Sequence, residues 1–298
     1  MILMPIPCSV GVFAHNEAAN IVHLLDAISA QRLSQAEITE VIVVSSASTD
    51  ATDDLVRAYS AQNPIVRLLT QARREGKSSA INLFLREAKS DILVVISADV
   101  IPSAETIELL ISAFQDPKIG ATGGRPFPIN NDGTFMAYAV QLLWRLHHRM
   151  ALISPKLGEM IAFRRVMDTI PSESAVDEAS IESMVRAAGY DLRYIPEALI
   201  HNKGPENVKD FVKQRRRIQN GHLWLVKNQN YQVISQDSST LVRIIMQELA
   251  SRPQDVFKLS LVVALEFYSR LLGSFDYYVK KKNPFAWDIV ISTKQVKP

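Results

Sequence analysis

Hydrophobic and polar positions follow two rhythms over the first hundred residues. Short β-branched runs, "SVGVFA", "EVIVVSS", "IVRLLT" and "ILVVIS", alternate with stretches of helical spacing, "NIVHLLDAISA", "DDLVRAYSAQ" and "SSAINLFLREA". This repeated strand-helix unit predicts an α/β fold built on a mainly parallel sheet with helices on both faces. Ligands in such an architecture lie beyond the C-terminal ends of the strands. The polar clusters of this chain fall there: "HNE" after the first strand, "SSASTD" after the second, "RREGKSS" after the third and "SAD" after the fourth.

Further on, residues 103–115 have helical spacing, with Ser103 as the expected N-cap and Glu105 in the first turn, where a carboxylate suits the helix dipole. "GATGGRPFPIN" reads as a glycine-proline connector, "FMAYAVQLLWRLHHRMAL" as a helix with an apolar face, and "GEMIAFRR" as a short strand. A helix starting at "VDEASIES" stops near Gly189, "YIPEALIHN" returns as a strand, and "VKDFVKQRRRIQNGHLWLVKN" is a basic helix. From about residue 235 the character changes. Helical spacing places Phe257, Leu261, Leu265, Tyr268, Leu272 and Phe275 on one face, followed by Lys280, Lys281 and Lys282 in "KKKNPFAW". The expected division is a catalytic domain over residues 1–234 and an amphipathic helical extension over 235–298. That extension is expected to lie on a membrane face, with packing onto the core as the competing arrangement.

Composition narrows the function. A chain of 298 residues with 47% hydrophobic content has enough apolar material for one large core plus an appendage. Thirty-three basic against 31 acidic residues leave a net charge of +2, which gives no reason to expect a nucleic-acid binder. The single cysteine, Cys8, has no partner for an internal disulfide, which fits a reducing, cytoplasmic setting. The apolar start "MILMPIPCSVGVFA" carries two prolines and no basic leader, unlike a signal peptide. "LSLVVALEFYSRLLGSFDYYV" is interrupted by Glu266, Arg270 and Asp276, so no spanning helix is expected, and any membrane contact is peripheral, at the inner face. Neither G-x-G-x-x-G after the first strand nor G-x-x-x-x-G-K-[ST] anywhere is present, which removes the dinucleotide and Walker-loop readings.

Several residues carry candidate chemistry, each with a plainer alternative. Asp99, alone at the end of "ILVVISAD", offers hard oxygen to a divalent cation, or caps the following turn. Asp177 and Glu178 are adjacent acids at a helix start, where the macrodipole favours them without any chemistry; near an acceptor hydroxyl either could serve as general base. Of the three arginines in "QRRRI", at most two can face one site, and a solvated basic face is the alternative. Lys77 in "REGKSSAIN", taken alone, reads first as a solvent-exposed lysine. His147 and His148 are neighbours on a helix and therefore on different faces, while His201 and His222 read as metal or phosphate contacts or as structural histidines.

Taken in order, "VGVFAHNEAANI", "VIVVSSASTDAT", "REGKSSAIN", "SAD", "VDEASIESMVRAAGYDLRYIPEA" and "QRRRI" resemble the motifs of family 2 glycosyltransferases. The likeness is strongest to the branch of the cellulose, hyaluronan and poly-N-acetylglucosamine synthases, and it runs from residue 9 to about residue 222. The resemblance implies a GT-A fold, a Rossmann-like nucleotide-sugar half joined to an acceptor half. It implies inverting transfer from a nucleotide sugar, UDP-linked, to a saccharide or lipid-linked hydroxyl acceptor, with Mg or Mn as cofactor. By the same implication Ala14, Asn16 and Glu17 surround the nucleoside, Ser45 and Ser46 lie near base or ribose, and Lys77 reaches the diphosphate. Asp99 holds the metal, Glu178 with Asp177 beside it supplies the base, and Gln214 and Arg217 contact diphosphate or acceptor. The chain departs from the pattern where Ser45 and Ser46 replace tandem aspartates, Ser97 replaces the first Asp of D-x-D, Asp177-Glu178 inverts Glu-Asp, and Ile218 replaces the tryptophan of Q-x-x-R-W. Those departures leave open the alternative of a catalytically silent nucleotide-sugar-binding or scaffolding protein. A sugar-nucleotidyltransferase fits worse, because "AHNEAAN" stands where a glycine-rich basic loop belongs.

Overall fold

A computed structural model describes residues 4–281 of the chain. The alternating first third folds as read: β1 (Ile6–Ala14), α1 (Ile21–Ser29), β2 (Ala36–Ser46), α2 (Thr52–Gln62), β3 (Val66–Gln71), α3 (Lys77–Glu87) and β4 (Ile92–Ser97). There follow β5 (Val100–Pro102), α4 (Thr106–Ser112), β6 (Ile119–Pro128), α5 (Phe135–Ile153), β7 (Met160–Arg164), α6 (Asp177–Ala187), β8 (Asp191–Asn202), α7 (Val208–Gln229), α8 (Ser238–Ser251) and α9 (Val256–Tyr278). The eight strands form one sheet in the order β3-β2-β1-β4-β7-β6-β8-β5. Strands β3, β2, β1 and β4 are mutually parallel, the half a repeated strand-helix unit must produce. Beyond β4 the sheet is mixed: β7 is antiparallel to both neighbours, and β8 pairs parallel with β6 and antiparallel with β5.

Period-2 alternation sorts the core. Val10, Val12, Val41, Val43, Val94 and Ile96 face one side, where α1, α2 and α4 deliver Leu24, Val56 and Leu110. Ile42, Val44, Leu93 and Val95 face the other, against Ile81 and Phe84 of α3 and Ile181 and Val185 of α6. A third cluster joins Leu142 and Leu146 of α5, Phe211 of α7, Ile244 of α8 and Leu259 and Val262 of α9. The last two helices are therefore packed onto the body through α5 and α7.

Three sequence expectations are corrected. "GATGGRPFP" is strand β6, not a connector. Its glycines are there for close approach: a Cβ on Gly120 would collide with Tyr190, and one on Gly124 with the backbone carbonyl of Ala198 in the neighbouring strand. Ser103 is not a helix cap, because α4 starts three residues later; β5 holds Ser103 beside β8, where its hydroxyl pairs with His201 Nε2 at 3.1 Å. On α9 the packed seam is Leu259, Val262, Ser269, Gly273 and Asp276, whereas Phe257, Leu261, Tyr268 and Phe275 of the expected stripe are exposed. The seam is set by charge pairing with α7: Arg215 binds Glu266 through Nε and Nη2 at 2.7 and 2.8 Å, and Arg216 pairs with Asp276. Gly189, with φ of 86°, ends α6 as expected. Lys282 and the rest of "KKKNPFAW" lie outside the described residues.

Candidate active site

The loops after β1 and β2 are tied together by short polar side chains. His15 Nδ1 lies 2.7 Å from the carbonyl of Ser46. Asn16 takes a left-handed φ of 54°, donates its backbone N–H to Ser48 Oγ and accepts from the N–H of Thr49 at 2.8 Å. The Glu17 N–H donates to Thr52 Oγ1 at 2.8 Å, and its carboxylate accepts from Asn20 Nδ2. Ser45 is fully buried and gives its hydroxyl to Ser48. One cavity of about 1020 Å³ opens at this end of the sheet; Ala14, Glu17 and Ser46 are on its wall, while Asn16 and Ser45 stand behind it and brace the loops.

Opposite them two helix N-termini meet. Lys77 and Ser78 begin α3, and Asp177 and Glu178 begin α6. Lys77 Nζ donates to Glu178 Oε1 at 2.6 Å, and the Ser78 hydroxyl donates to the Asp177 carboxylate. Asp99, in the turn after β4, lines the same cavity, so the strand-end acid and the adjacent pair share one cleft. Glu159 joins them. It precedes β7 with φ of 61°, lines the cavity, and accepts from Asn202 Nδ2 at 3.2 Å. Sequence reading passed over Glu159 as part of a strand; a carboxylate at the head of the apolar run "MIAF" was the available signal.

The electrostatics follow from four acids around one lysine. Burial, then Asp99 and Glu178, push the Glu159 carboxyl up to about 7. Burial and Glu178 push Asp177 up to about 6. For Glu178 the burial effect is outweighed by the Lys77 ammonium, which leaves its pKa below the ordinary value. Burial likewise pulls Lys77 down, but Glu178, Asp177 and Glu159 together raise it overall.

From the far side α7 presents Gln214, Arg215, Arg217 and His222 to the cavity, while Arg216 points away to Asp276. That division matches the helical limit on three consecutive arginines. Arg217 Nε is buried and has no hydrogen-bond partner among the described residues. Of the other histidines, His147 lines the cavity, His148 pairs with Tyr194 at 2.9 Å, and His201 sits against Ser103 and the ring of Phe127. Among the described residues no three acids, histidines or cysteines converge as a complete metal cage.

Comparison with known proteins gives this geometry its family. Residues 9–178 match the model of "Glycosyl transferase family 2". The chain is 26% identical over 234 residues to a probable glycosyltransferase, YdaM, of Bacillus subtilis (strain 168), covering 73% of this chain and 56% of the relative. It is 25% identical over 228 residues to the poly-beta-1,6-N-acetyl-D-glucosamine synthase of Staphylococcus aureus (strain COL), covering 72% and 54%. The chain thus spans about half the length of the curated relatives it matches. Among solved structures, a mannosyltransferase, PcManGT, from Pyrobaculum calidifontis, in complex with GDP-Man and Mn2+, superimposes with a TM-score of 0.69 at 20% identity, covering 92% of this chain and 88% of that one. Glucosyl-3-phosphoglycerate synthase from Mycobacterium tuberculosis, with Mn2+, UDP and phosphoglyceric acid, gives a TM-score of 0.51 at 21% identity, covering 73% and 77%. These likenesses establish the GT-A type fold, and with a family match over more than half its length the chain belongs to glycosyl transferase family 2.

Proposed function

We propose that this protein is an inverting glycosyltransferase, moving a sugar from a nucleoside diphosphate to an acceptor hydroxyl. The observation that carries the reading is the convergence of Lys77, Asp99, Asp177 and Glu178 on one cavity at the C-terminal ends of the parallel strands. The nucleoside lies by Ala14, Glu17 and Ser46, in loops braced by Asn16 and Ser45, and the diphosphate runs toward Lys77 and Arg217. The acceptor hydroxyl attacks the anomeric carbon, the bond from that carbon to the diphosphate oxygen breaks, and the hydroxyl proton passes to Glu178 or Asp177. One displacement inverts the centre.

A divalent cation, Mg or Mn, fits this wall. Asp99 supplies hard oxygen, and Glu159, Asp177 and Glu178 line the same cavity, so its wall is rich in carboxylates. Asp99 is the residue to hold it, the remaining ligands coming from diphosphate and water. Such an ion supplies neutralisation of charge on the leaving group. Two solved neighbours contain Mn2+, one with GDP-Man and one with UDP. UDP is the donor nucleotide expected from the motifs; GDP is the second reading, supported by the neighbour of highest TM-score given above.

A donor diphosphate beside Lys77 would compete with Glu178 for the ammonium's charge. The Lys77 ammonium, 2.6 Å from Glu178 Oε1, holds that carboxyl below its ordinary pKa and so makes it a weaker base. A donor that draws Lys77 away raises the basicity of Glu178 at the moment the sugar arrives, so donor binding precedes acceptor activation. The test is a panel of UDP- and GDP-sugars with Mg or Mn, read by mass spectrometry. Transfer or hydrolysis with one of them is expected; no binding and no turnover with any would sink the reading, and binding without turnover would favour a silent scaffold.

The division at residue 234 and a membrane contact belong to the same proposal. No helix among the described residues is long and apolar enough to cross a membrane. Helices α8 and α9 nevertheless leave Val242, Met246, Phe257, Phe267, Phe275 and Tyr278 exposed, a surface suited to the interface of an anionic bilayer at the cytoplasmic face.

A further inference from the structure

One face of α5 looks into the cavity. Val140, Trp144 and His147 follow one another at spacings of four and three residues, which puts them on that face, and all three line the cavity. The outer members show where the face points. A Cβ on Gly204 would collide with the Val140 side chain, and one on Gly158 would lie 3.7 Å from His147 Nε2. Trp144 stands between them, its ring centroid 5.2 Å from that of His147, over the gap between the residues that precede β7 and those that follow β8. Glu159 and Asn202 span the same gap, Asn202 Nδ2 donating to Glu159 Oε1 at 3.2 Å. Asn130 fixes the frame. Its side chain accepts from the Gly204 N–H at 2.7 Å and donates to the Gly204 carbonyl at 3.1 Å, while its own carbonyl accepts from Gln141 of α5 at 2.6 Å.

The groups gathered there have bonding capacity left. Among the described residues the Asn202 amide is the hydrogen-bond partner of the Glu159 side chain, and a carboxylate has about four acceptor sites. Asn202 is 5% exposed, and its Oδ1 is buried with no partner among the described residues. Trp144 is half-buried, an apolar plate on the cavity wall. Acceptor oxygens beside such a plate complement a pyranose, which has an apolar C–H face and a rim of hydroxyl donors. Asn202 pairs in the sheet with Val100, the residue after Asp99, so the plate and its oxygens adjoin the place proposed for the cation and the diphosphate.

We propose that Trp144, Glu159 and Asn202 read the sugar being transferred: its C–H face packs on the indole, and its hydroxyls donate to the Glu159 carboxylate and the Asn202 amide oxygen. The inference rests on the glycosyl-transfer reading and deepens it. It assigns the choice of sugar, as distinct from nucleotide, to three residues outside the motifs that carry the family likeness. A ring beside the diphosphate is the donor's, because the cation on Asp99 neutralises the leaving group attached to it. Axial and equatorial hydroxyls at one carbon point in different directions and cannot both meet an oxygen held in a fixed frame, so the subsite distinguishes epimers.

The experiment is a calorimetric titration of the full chain, with Mn2+, against UDP, GDP and epimer pairs of their sugars: UDP-glucose with UDP-galactose, the corresponding N-acetylhexosamines, and GDP-mannose with GDP-glucose. Within one pair a preference of about tenfold is expected, the size of one hydrogen bond to a charged group, and Glu159→Gln should reduce it to about twofold. Trp144→Ala should weaken the preferred sugar by about tenfold, whereas Trp144→Phe, which keeps a plate, should retain most of the affinity. A thermal melt like the parent's shows that each variant is folded, and UDP or GDP alone should bind as before. Epimer ratios indifferent to the substitutions overturn the proposal. So does an equal weakening of bare UDP or GDP, which would give the indole to the nucleobase. Loss of Mn2+ binding in Glu159→Gln with the epimer ratio intact also overturns it, since Glu159 would then be a cation ligand. Methyl pyranosides followed by saturation-transfer NMR separate this inference from the reading beneath it. A pyranoside held by the parent but not by Trp144→Ala, in a protein that binds no nucleotide sugar, overturns the donor reading and leaves the subsite standing. Nucleotide-sugar turnover with no epimer preference does the reverse.

Discussion

Lys77 has one ammonium and two anionic claimants, the Glu178 carboxylate it now holds and the diphosphate proposed for the donor. Glu178→Gln is therefore expected to lower kcat by about 10²- to 10⁴-fold, the usual contribution of a general base. Because it also releases Lys77, nucleotide affinity in that variant should be unchanged or tighter, as calorimetry would register. Unaltered turnover in both Glu178→Gln and Asp177→Asn would refute the base assignment. Glu182 makes a second residue-scale prediction. Burial raises its carboxyl from an ordinary 4.5 to about 7, although it accepts from the Leu157 N–H and the Tyr231 hydroxyl. A group that binds its proton more tightly when folded favours folding at low pH, so its contribution is lost as pH rises from about 4.5 to about 7. Thermal melts across that window should fall less steeply with pH in Glu182→Gln than in the parent. Lys77, Asp99, Asp177 and Glu178 were legible in the sequence because each stands at a strand end or helix start, where chain direction alone fixes its location. Glu159 was not, since a left-handed φ turns it into the cavity and no spacing rule announces that. Nor could the sequence tell that of two consecutive serines Ser46 lines the cavity while Ser45 is consumed in bracing.

At the level of elements, β1 to β4 and their helices were readable because hydrophobic periods of 2 and 3.6 were clean. Strand β6 was hidden by its own glycines and prolines, which ordinarily mark turns and here permit neighbouring chains to touch. Gly124→Ala would push a methyl into the Ala198 carbonyl, and a loss of about 1–3 kcal/mol is expected in chemical denaturation, the range seen when a packed core is overfilled. The α9 seam was misread for a different reason: apolar spacing nominated one face, but the chain chose the face carrying Glu266 and Asp276, which meet Arg215 and Arg216 of α7. Asp276 is 1% exposed, so Asp276→Ala strands the Arg216 guanidinium. Breaking such a pair costs about 3–5 kcal/mol when both partners are fully buried and less here, where Arg216 is partly solvated. Faster amide exchange confined to α9 is the expected readout.

Across the whole molecule, packing onto the core leaves room for the proposed membrane contact, since α9 packs through Leu259, Val262, Ser269, Gly273 and Asp276 and leaves Phe257, Leu261, Phe267 and Phe275 exposed. Flotation with anionic vesicles should carry the protein upward, and a double Phe257→Glu, Phe275→Glu variant should stay at the bottom; equal behaviour of the two would remove the bilayer contact. The architecture was legible from alternation, but the size of the cavity was not, because it is assembled from segments as distant as Ala14 and Leu271. One consequence lies in that assembly. The family model ends at residue 178, yet much of the far wall comes from α7, α8 and α9. On the proposed reading the nucleoside contacts lie within residues 9–178, and apart from Gln214 and Arg217 of α7 the later helices would shape the acceptor side. A chimaera that keeps the first 229 residues and borrows the remaining helices from a relative should inherit its new clientele while spending the same currency of activated sugar.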